Sequence, residues 1–153
     1  MKLGKFKNGT IAFALMVMLA MTAACTGEQI ADNVLKSSEA TYKTAHQLCL
    51  DVAYNPDLTL EQKKAFKAKV QPVMRTADGL IRTGLIAFKT YKLVDASGGN
   101  STDTPATARA ALFDVAKELC AQIPQLVYAV NTAAKGFGYD SLVVPEEISN
   151  AFK

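Results

Sequence analysis

The chain contains one histidine, three cysteines and no tryptophan, so the residues from which most metal and catalytic sites are built are scarce. A structural zinc site takes four ligands, and a catalytic one usually takes three from the protein. His46 and Cys49 are one helical turn apart, but Asp51 lies elsewhere on the helical wheel, so the ligand set stays at two. A Ser-His-Asp triad would have to use His46, the only histidine, and nothing in the sequence indicates such a triad. The sequence therefore predicts no metal site and no catalytic residue.

The motifs that mark common cofactor sites are also absent. There is no Cys-x-x-Cys-His haem motif, no Gly-x-Ser-x-Gly elbow and no glycine loop that could cradle a phosphate. Glu146 and Glu147 are adjacent carboxylates, but adjacent residues on a helix do not face each other. We interpret them as first-turn acids that favour a helix N-terminus. The sequence thus predicts a non-enzymatic protein without a cofactor.

The N-terminus lacks an apolar run long enough to span a bilayer. Lys2, Lys5 and Lys7 precede an apolar stretch that has 14 residues from Ile11 to Ala24. Crossing the hydrocarbon core as a helix takes about 20 residues. A basic start, a short apolar stretch and small residues at its end form the layout of a secretory signal peptide.

The segment Thr22-Ala23-Ala24-Cys25 resembles the lipobox of bacterial lipoproteins, in which small residues precede a cysteine that becomes lipidated. Ala23 and Ala24 match that pattern, whereas Thr22 replaces the usual leucine or other aliphatic residue. The resemblance implies that residues 1–24 are a cleaved signal peptide and that Cys25 is the lipidated N-terminus of the mature protein. Two or three acyl chains on one cysteine would anchor the domain stably to a membrane. The departure at Thr22 leaves open cleavage near Ala24 without lipid.

The resemblance also implies a location. In Gram-negative lipoproteins, an aspartate after the lipidated cysteine favours retention in the inner membrane, and here Thr26 follows Cys25. By that analogy the protein is expected on the outer membrane, lipid-anchored and facing the periplasm. A secreted or soluble periplasmic protein is the alternative.

The charge balance argues against a nucleic-acid partner. Removing the signal peptide takes three of the 17 basic residues, and the remaining 14 equal the number of acidic residues. A neutral domain lacks the counterion-release contribution that drives nucleic-acid binding. One basic cluster, consisting of Lys63, Lys64, Lys67 and Lys69, could contact anionic headgroups or an acidic partner, although such runs are more often solvated helix faces.

The cysteine count bears on the redox state. Three cysteines leave one unpaired in an exported protein. If Cys25 carries lipid, Cys49 and Cys120 remain, and we predict that they form a disulfide in an oxidising compartment. Closing a loop of about 70 residues would stabilise the fold by about 4 kcal/mol in the chain-entropy model. The alternative is two buried free thiols that act as small hydrophobic groups.

Turn signals divide the mature chain into three segments with helical periodicity. The first extends from about Glu28 to Tyr54 and ends at Asn55-Pro56-Asp57. The second begins after a capping box formed by Thr59 and Gln62, and it extends to about Asp95. The apolar stripes are Ala31, Val34, Ser38, Tyr42, Ala45, Cys49 and Val52 in the first segment, and Phe66, Val70, Val73, Ala77, Ile81, Gly84, Phe88 and Tyr91 in the second.

The third segment begins with Thr104 as N-cap and Pro105 in the first turn, and it extends to about Ala134. Its stripe is Ala108, Leu112, Val115, Leu119, Ile123, Leu126, Val130 and Ala133. Pro72 and Pro124 predict kinks, and Gly79 and Gly84 are expected to let another helix approach closely. Beyond it, Leu142-Val143-Val144 is expected to pack along the helices and Pro145 to start a short helix.

Long periodic segments joined by short or polar links predict an all-α protein, specifically an antiparallel three-helix bundle with kinked helices and a short C-terminal helical appendage. Residues 25–153 would form this single domain. We expect a membrane-anchored envelope lipoprotein that acts as a non-enzymatic binding, scaffold or accessory module, with an envelope protein as partner. The alternative is a secreted or periplasmic protein that binds a small ligand in a cavity near Pro72 and Pro124. The sequence leaves the oligomeric state open.

Overall fold

The computed structural model describes the backbone of residues 8–97 and 104–153, and side chains from residue 27 onward. The described chain forms four helices and no strand: α1 (Asn8–Tyr54), α2 (Leu60–Ala96), α3 (Pro105–Ala134) and α4 (Glu146–Ser149). The prediction of an all-α protein is confirmed. Among the residues searched, none of the helices combines the length and apolar character that a membrane span requires.

Helix α1 begins about 20 residues before the start that the sequence predicted. It was expected from Glu28, where the amphipathic pattern starts, but the helix continues back to Asn8 and includes Cys25. The physical reason is that residues 11–26 contain neither proline nor glycine and are rich in alanine, leucine and methionine, which favour helix. Near Glu28 the sequence changes from uniformly apolar to amphipathic, but the helix continues through this change.

The starts of α2 and α3 lie where the caps predicted them. The Thr59 hydroxyl accepts a hydrogen bond from the backbone N–H of Gln62 at 3.2 Å, and the Gln62 side chain accepts one from the N–H of Thr59 at 2.8 Å. Thr104 and Thr107 form the same reciprocal pair at the start of α3, with Pro105 in the first turn. These bonds satisfy N–H groups that have no partner inside the helix.

The three long helices all contribute to one core, and each contacts the other two. Most of the predicted stripe residues are buried, while six are only half-buried: Tyr42, Cys49, Val73, Phe88, Val115 and Ala133. Residues next to the predicted stripes are buried as well, because a helix that contacts two others buries a band wider than a single stripe. The additional buried residues are Leu35, Thr41, Leu48, Met74, Val94, Ala116, Val127 and Ala134.

Specific contacts give the relative directions of the helices. Leu35 near the middle of α1 lies against Gly84, late in α2, whereas Val52 at the end of α1 lines a groove with Phe66, early in α2. These two helices therefore run in opposite directions. Phe113, early in α3, lies against Gly27 of α1, far from the C-terminal end of α1 at Tyr54. In α2, Phe66 packs against Phe137 just beyond α3, with ring centroids 6.4 Å apart. Helix α3 therefore runs parallel to α1 and antiparallel to α2.

The C-terminal tail packs along the helices as expected. Gly136 and Gly138, with φ of 93° and 78°, turn the chain after α3. The Asn131 side chain then holds Leu142, donating to its carbonyl at 2.9 Å and accepting from its N–H at 2.8 Å. Leu142 and Val144 pack against the core, whereas Val143 is exposed.

The short helix α4 fixes the end of the tail. Ile148 is buried, and α4 contacts both α1 and α3. The tail thus lies over the junction between α1 and α3, and Phe152 reaches Phe113 in an edge-on contact with centroids 6.4 Å apart.

Two glycines of α2 that the sequence treated alike have different surroundings. A Cβ at Gly84 would lie 2.8 Å from Leu35 Cδ1 and 3.3 Å from Val115 Cγ1, so this glycine does allow close approach of helices. A Cβ at Gly79 would have no neighbour within 4 Å. The expectation of a close approach is therefore correct for Gly84 and wrong for Gly79, which lies on the exposed face of α2.

We expect Gly84→Leu to lower the free energy of unfolding by about 1–3 kcal/mol, because the larger side chain overpacks the helix junction. Gly79→Leu is the matched control and should raise it by about 1 kcal/mol, since leucine favours helix over glycine. Urea unfolding followed by circular dichroism measures both values. Equal effects of the two substitutions would contradict the close contact at Gly84.

A polar cluster joins Glu28, among the first residues of α1 whose side chains are described, to the other two long helices. Tyr91 of α2 is buried and forms a hydrogen bond with the Glu28 carboxyl. Arg109 of α3 approaches the same carboxyl at 4.0 Å. The bond to Glu28, together with burial, raises the pKa of Tyr91 to about 12 from an ordinary value of 10.

This shift predicts a loss of stability in alkali. The raised pKa means that the folded state favours the neutral phenol, so the stabilisation is complete below pH 10 and is lost as pH rises from 10 through about 12. Tyr91→Phe should flatten the dependence of the free energy of unfolding on pH in that window. Tyr54→Phe, at an exposed position, should leave the dependence unchanged. An identical profile for both variants would contradict the role of Tyr91.

A candidate binding groove between α1 and α2

An open groove of about 600 Å³ lies between the C-terminal part of α1 and the N-terminal half of α2. We call it the α1–α2 groove. Its residues on α1 follow helical spacing along one edge of the core stripe, and those on α2 face them across the gap. The lining residues are Tyr42, His46, Cys49, Val52, Ala53, Leu60, Lys63, Lys64, Phe66, Lys67, Val70, Gln71, Met74, Arg75 and Asp78.

The base of the groove is apolar and belongs to the core. Val52 and Val70 are 1% exposed, and Phe66 is 5% exposed. Phe66 is supported from behind by Phe137 of the tail. Met74 continues this base toward the middle of α2. An apolar base under an open mouth offers burial to a ligand without burying polar groups of the protein.

The end of the groove next to the α1–α2 turn is cationic. Lys63, Lys64 and Lys67 all lie within about one turn of α2, and we call them the cationic end. Within the described residues none of the three forms a salt bridge, whereas Lys36 and Lys43 of α1 each pair with a carboxylate four residues earlier, at 2.6 and 2.7 Å. The positive end of the α2 dipole lies at the same place and adds to the potential.

The opposite end of the groove has a different character. Tyr42 and His46 stack there, with ring centroids 6.3 Å apart. Asp78 lines this end and bonds to Arg82 at 2.9 Å, so its charge is already compensated. Burial, and then the nearby Asp78 carboxylate, raise the pKa of Tyr42 above its ordinary value of 10. The groove therefore has three lysines at one end and a single arginine, Arg75, toward the other.

His46 and Cys49 line this groove together, but no third ligand joins them. Asp51, which the sequence placed elsewhere on the wheel, accepts a hydrogen bond from Gln47 at 2.9 Å and does not line the groove. Among the described residues, no cluster of three or more potential ligands of the His, Cys, Asp and Glu types occurs. Glu146 and Glu147 are exposed in the first turn of α4.

Cys49 and Cys120 are free thiols in the structure, and the disulfide expected from the sequence stays a prediction. Cys49 faces the α1–α2 groove, whereas Cys120 is on the flank of α3 and is not part of its lining. The two stripes point to a shared core, but both cysteines sit at stripe edges and are half-buried. The predicted lipidation site, Cys25, lies outside the residues whose side chains are described.

A second hollow, of about 740 Å³, lies at the C-terminal end of α3. Its lining is mostly polar or glycine and includes Tyr128, Asn131 and Tyr139. Asn131 and Tyr139 are already occupied in holding the tail, through Leu142 and Asn55 respectively. We therefore treat the α1–α2 groove as the candidate site.

The sequence did not locate this groove, although it contained part of the signal. The lysine cluster was recognised, and the structure places Lys63, Lys64 and Lys67 at the groove and Lys69 outside its lining. The cavity was expected between Pro72 and Pro124, but the groove involves α1 and α2 and neither proline lines it. Which pair of helices stays open depends on where the tail packs, and a helical pattern does not encode this.

Comparisons with protein-family models, with curated proteins and with solved structures found no match to the chain.

The free thiols give a direct test of the structure. Burial raises the pKa of both Cys49 and Cys120, so less of each is thiolate at neutral pH and alkylation of the folded protein should be slow. We expect the rate to rise toward alkaline pH and to increase strongly on unfolding in urea. If the two thiols react at different rates, Cys49→Ser and Cys120→Ser show which rate belongs to which cysteine.

The control is the same labelling of urea-unfolded protein with and without prior reduction. Equal labelling in both samples is expected of free thiols. If the two cysteines become reactive only after reduction, they are paired in the protein and the disulfide predicted from the sequence is correct.

Proposed function

We propose that this protein is an exported lipoprotein of the cell envelope, anchored through Cys25 and acting as a non-enzymatic binding module. The observation that carries the proposal is the direct connection between the lipobox-like segment and the packed domain. Phe113 lies against Gly27, only two residues after Cys25. A cysteine in that position attaches an acyl anchor to the domain with almost no linker.

The proposed domain is the expected antiparallel three-helix bundle, with the long helices bent at Pro72 and Pro124. The helix directions and the shared core support this arrangement. Residues 1–24 would be removed as a signal peptide, and residues 25–153 would form the mature protein. The buried core residues that the structure describes all lie between Ala31 and Ile148, within that proposed mature part.

The proposed anchor and the groove lie at opposite ends of the part of α1 that the mature protein would retain. About 18 residues separate Glu28 from His46, which corresponds to about 27 Å along a helix. Cys25 would hold the end formed by Glu28, Tyr91 and Arg109 near the lipid surface. The α1–α2 groove would then face the periplasm, where a ligand or another envelope protein can reach it. Thr26 after Cys25 favours the outer membrane by the lipoprotein analogy.

A secreted or soluble periplasmic protein that binds a small ligand is the second candidate. It follows if Thr22 prevents recognition as a lipobox and the chain is cut near Ala24 without lipid. The groove volume of about 600 Å³ supports ligand binding in either case, since ligand pockets typically measure about 300–1,000 Å³. The overall neutrality of the mature chain argues against a nucleic-acid partner for both.

The test is the intact mass of the protein extracted from membranes of a bacterial expression host. We expect a chain that starts at Cys25 with acyl chains added and that fractionates with the outer membrane. Cys25→Ser should abolish the added mass and release the protein from the membrane fraction. An unlipidated chain cut near Ala24 that stays soluble would refute the anchor and favour the second candidate.

A further inference from the structure

A three-helix arrangement has three junctions between helices, and this protein leaves one of them uncovered. Gly84 lets the helices approach closely at the centre. The tail, through α4 and Ile148, covers the junction between α1 and α3. Helices α2 and α3 share the most extensive contact of the three pairs. The third junction is the α1–α2 groove, where apolar side chains of the core reach the surface.

The tail shows what occupies such a junction in this protein. Leu142, Val144 and Ile148 insert apolar groups against the core, while Val143 points outward. The α1–α2 groove offers the same kind of apolar base in Val52, Phe66 and Val70, but no segment of the described chain fills it. An external apolar group is the natural complement to that base.

The distribution of charge along the groove indicates what kind of ligand would match it. The cationic end (Lys63, Lys64 and Lys67) lies next to the turn, and the apolar base extends from Phe66 past Val70 to Met74. Arg75 is the one further cation of the lining, and Asp78 lies beside it. A ligand that matches this pattern has one anionic group at one end and an apolar chain along the rest.

From this arrangement we propose that the α1–α2 groove binds a fatty acid. The carboxylate lies at the cationic end, and the acyl chain lies along the apolar base toward Met74. This inference rests on the proposed binding function and names its ligand class. From Phe66 to Met74 the base spans about 12 Å, and the groove continues to Asp78, about 18 Å from Phe66, which accommodates most of an extended acyl chain.

Other occupants fit the groove less well. A second copy of this chain would bring its own unpaired lysines against the cationic end, and like charges at close range repel. An acidic amphipathic helix would need cations along the whole length of the groove, whereas here three of the four lysines and arginines that line it lie within about one turn. A bilayer surface is flat on this scale and cannot enter a concave site.

The experiment uses the full-length protein, expressed with its signal peptide and reconstituted in phosphatidylcholine vesicles. A palmitate analogue with a diazirine in its tail is photo-crosslinked, and the labelled residues are located by mass spectrometry. We expect labelling concentrated in residues 42–78. Dodecanoate should compete at least about tenfold better than dodecylamine, because only the former carries the matching charge.

Two pairs of variants separate the head and tail contacts. Lys64→Glu/Lys67→Glu should reduce labelling by about tenfold, whereas Lys89→Glu/Lys117→Glu, at exposed lysines outside the groove, should not. Ala53→Trp places a ring in the groove and should reduce labelling similarly, whereas Ala40→Trp on another face of α1 should not. Because all the substituted positions are exposed, unfolding is not expected to account for reduced labelling. Circular dichroism of each variant checks that it is folded.

Labelling spread evenly over the chain, or equal labelling of the groove variants and their controls, would overturn the proposal. It would also be overturned if an amphipathic peptide of leucine and glutamate bound the groove while dodecanoate did not compete, since the site would then recognise a protein helix. The result is independent of the anchor, because labelling within residues 42–78 can be read on a chain whose mass shows no acylation at Cys25.

Discussion

The meeting point of the three long helices at Gly84 is the constraint on which the rest of the structure depends. Without a side chain at this position, Leu35 of α1 and both Val115 and Leu119 of α3 reach the backbone of α2. A glycine inside a helix costs about 1 kcal/mol relative to alanine. The cost is offset by the burial that the close approach permits, because all three contacting side chains belong to or pack against the core.

The sequence predicted local features well because each has a local physical cause. The two capping boxes at Thr59 and Thr104 depend on residues three positions apart, and the structure contains both. The apolar spacing likewise gave the buried faces. The start of α1 was predicted wrongly, because a change in amphipathic character at Glu28 says nothing about whether the backbone hydrogen bonds continue. The helical spacing predicted that Ser38 is buried. It did not predict that the Ser38 hydroxyl has no hydrogen-bond partner among the described residues.

Non-local features were not encoded in any short pattern. Gly79 and Gly84 are five residues apart on one helix, and only the position of a second helix distinguishes the crowded one from the exposed one. Cys49 and Cys120 both follow the edges of core stripes, but whether two edges meet depends on the rotation of each helix about its axis. In the structure their thiols remain free. The open α1–α2 groove depends in turn on the tail, whose Asn131–Leu142 bonds direct it to the other side of α1.

The balance of acidic and basic residues in 25–153 conceals a local separation of charge. The carboxylates of α1 and the middle of α2 are largely paired with neighbours one turn away, as in Asp32–Lys36, Glu39–Lys43 and Asp78–Arg82. Pairs of this kind contribute little to stability at an exposed surface, but they remove charge from the faces on which they lie. Because Lys63, Lys64 and Lys67 lack such partners within the described residues, a field remains at one end of the groove. The balanced charge of residues 25–153 argues against steering of a large polyanion, whereas the pairing pattern would let a single anionic group be recognised locally.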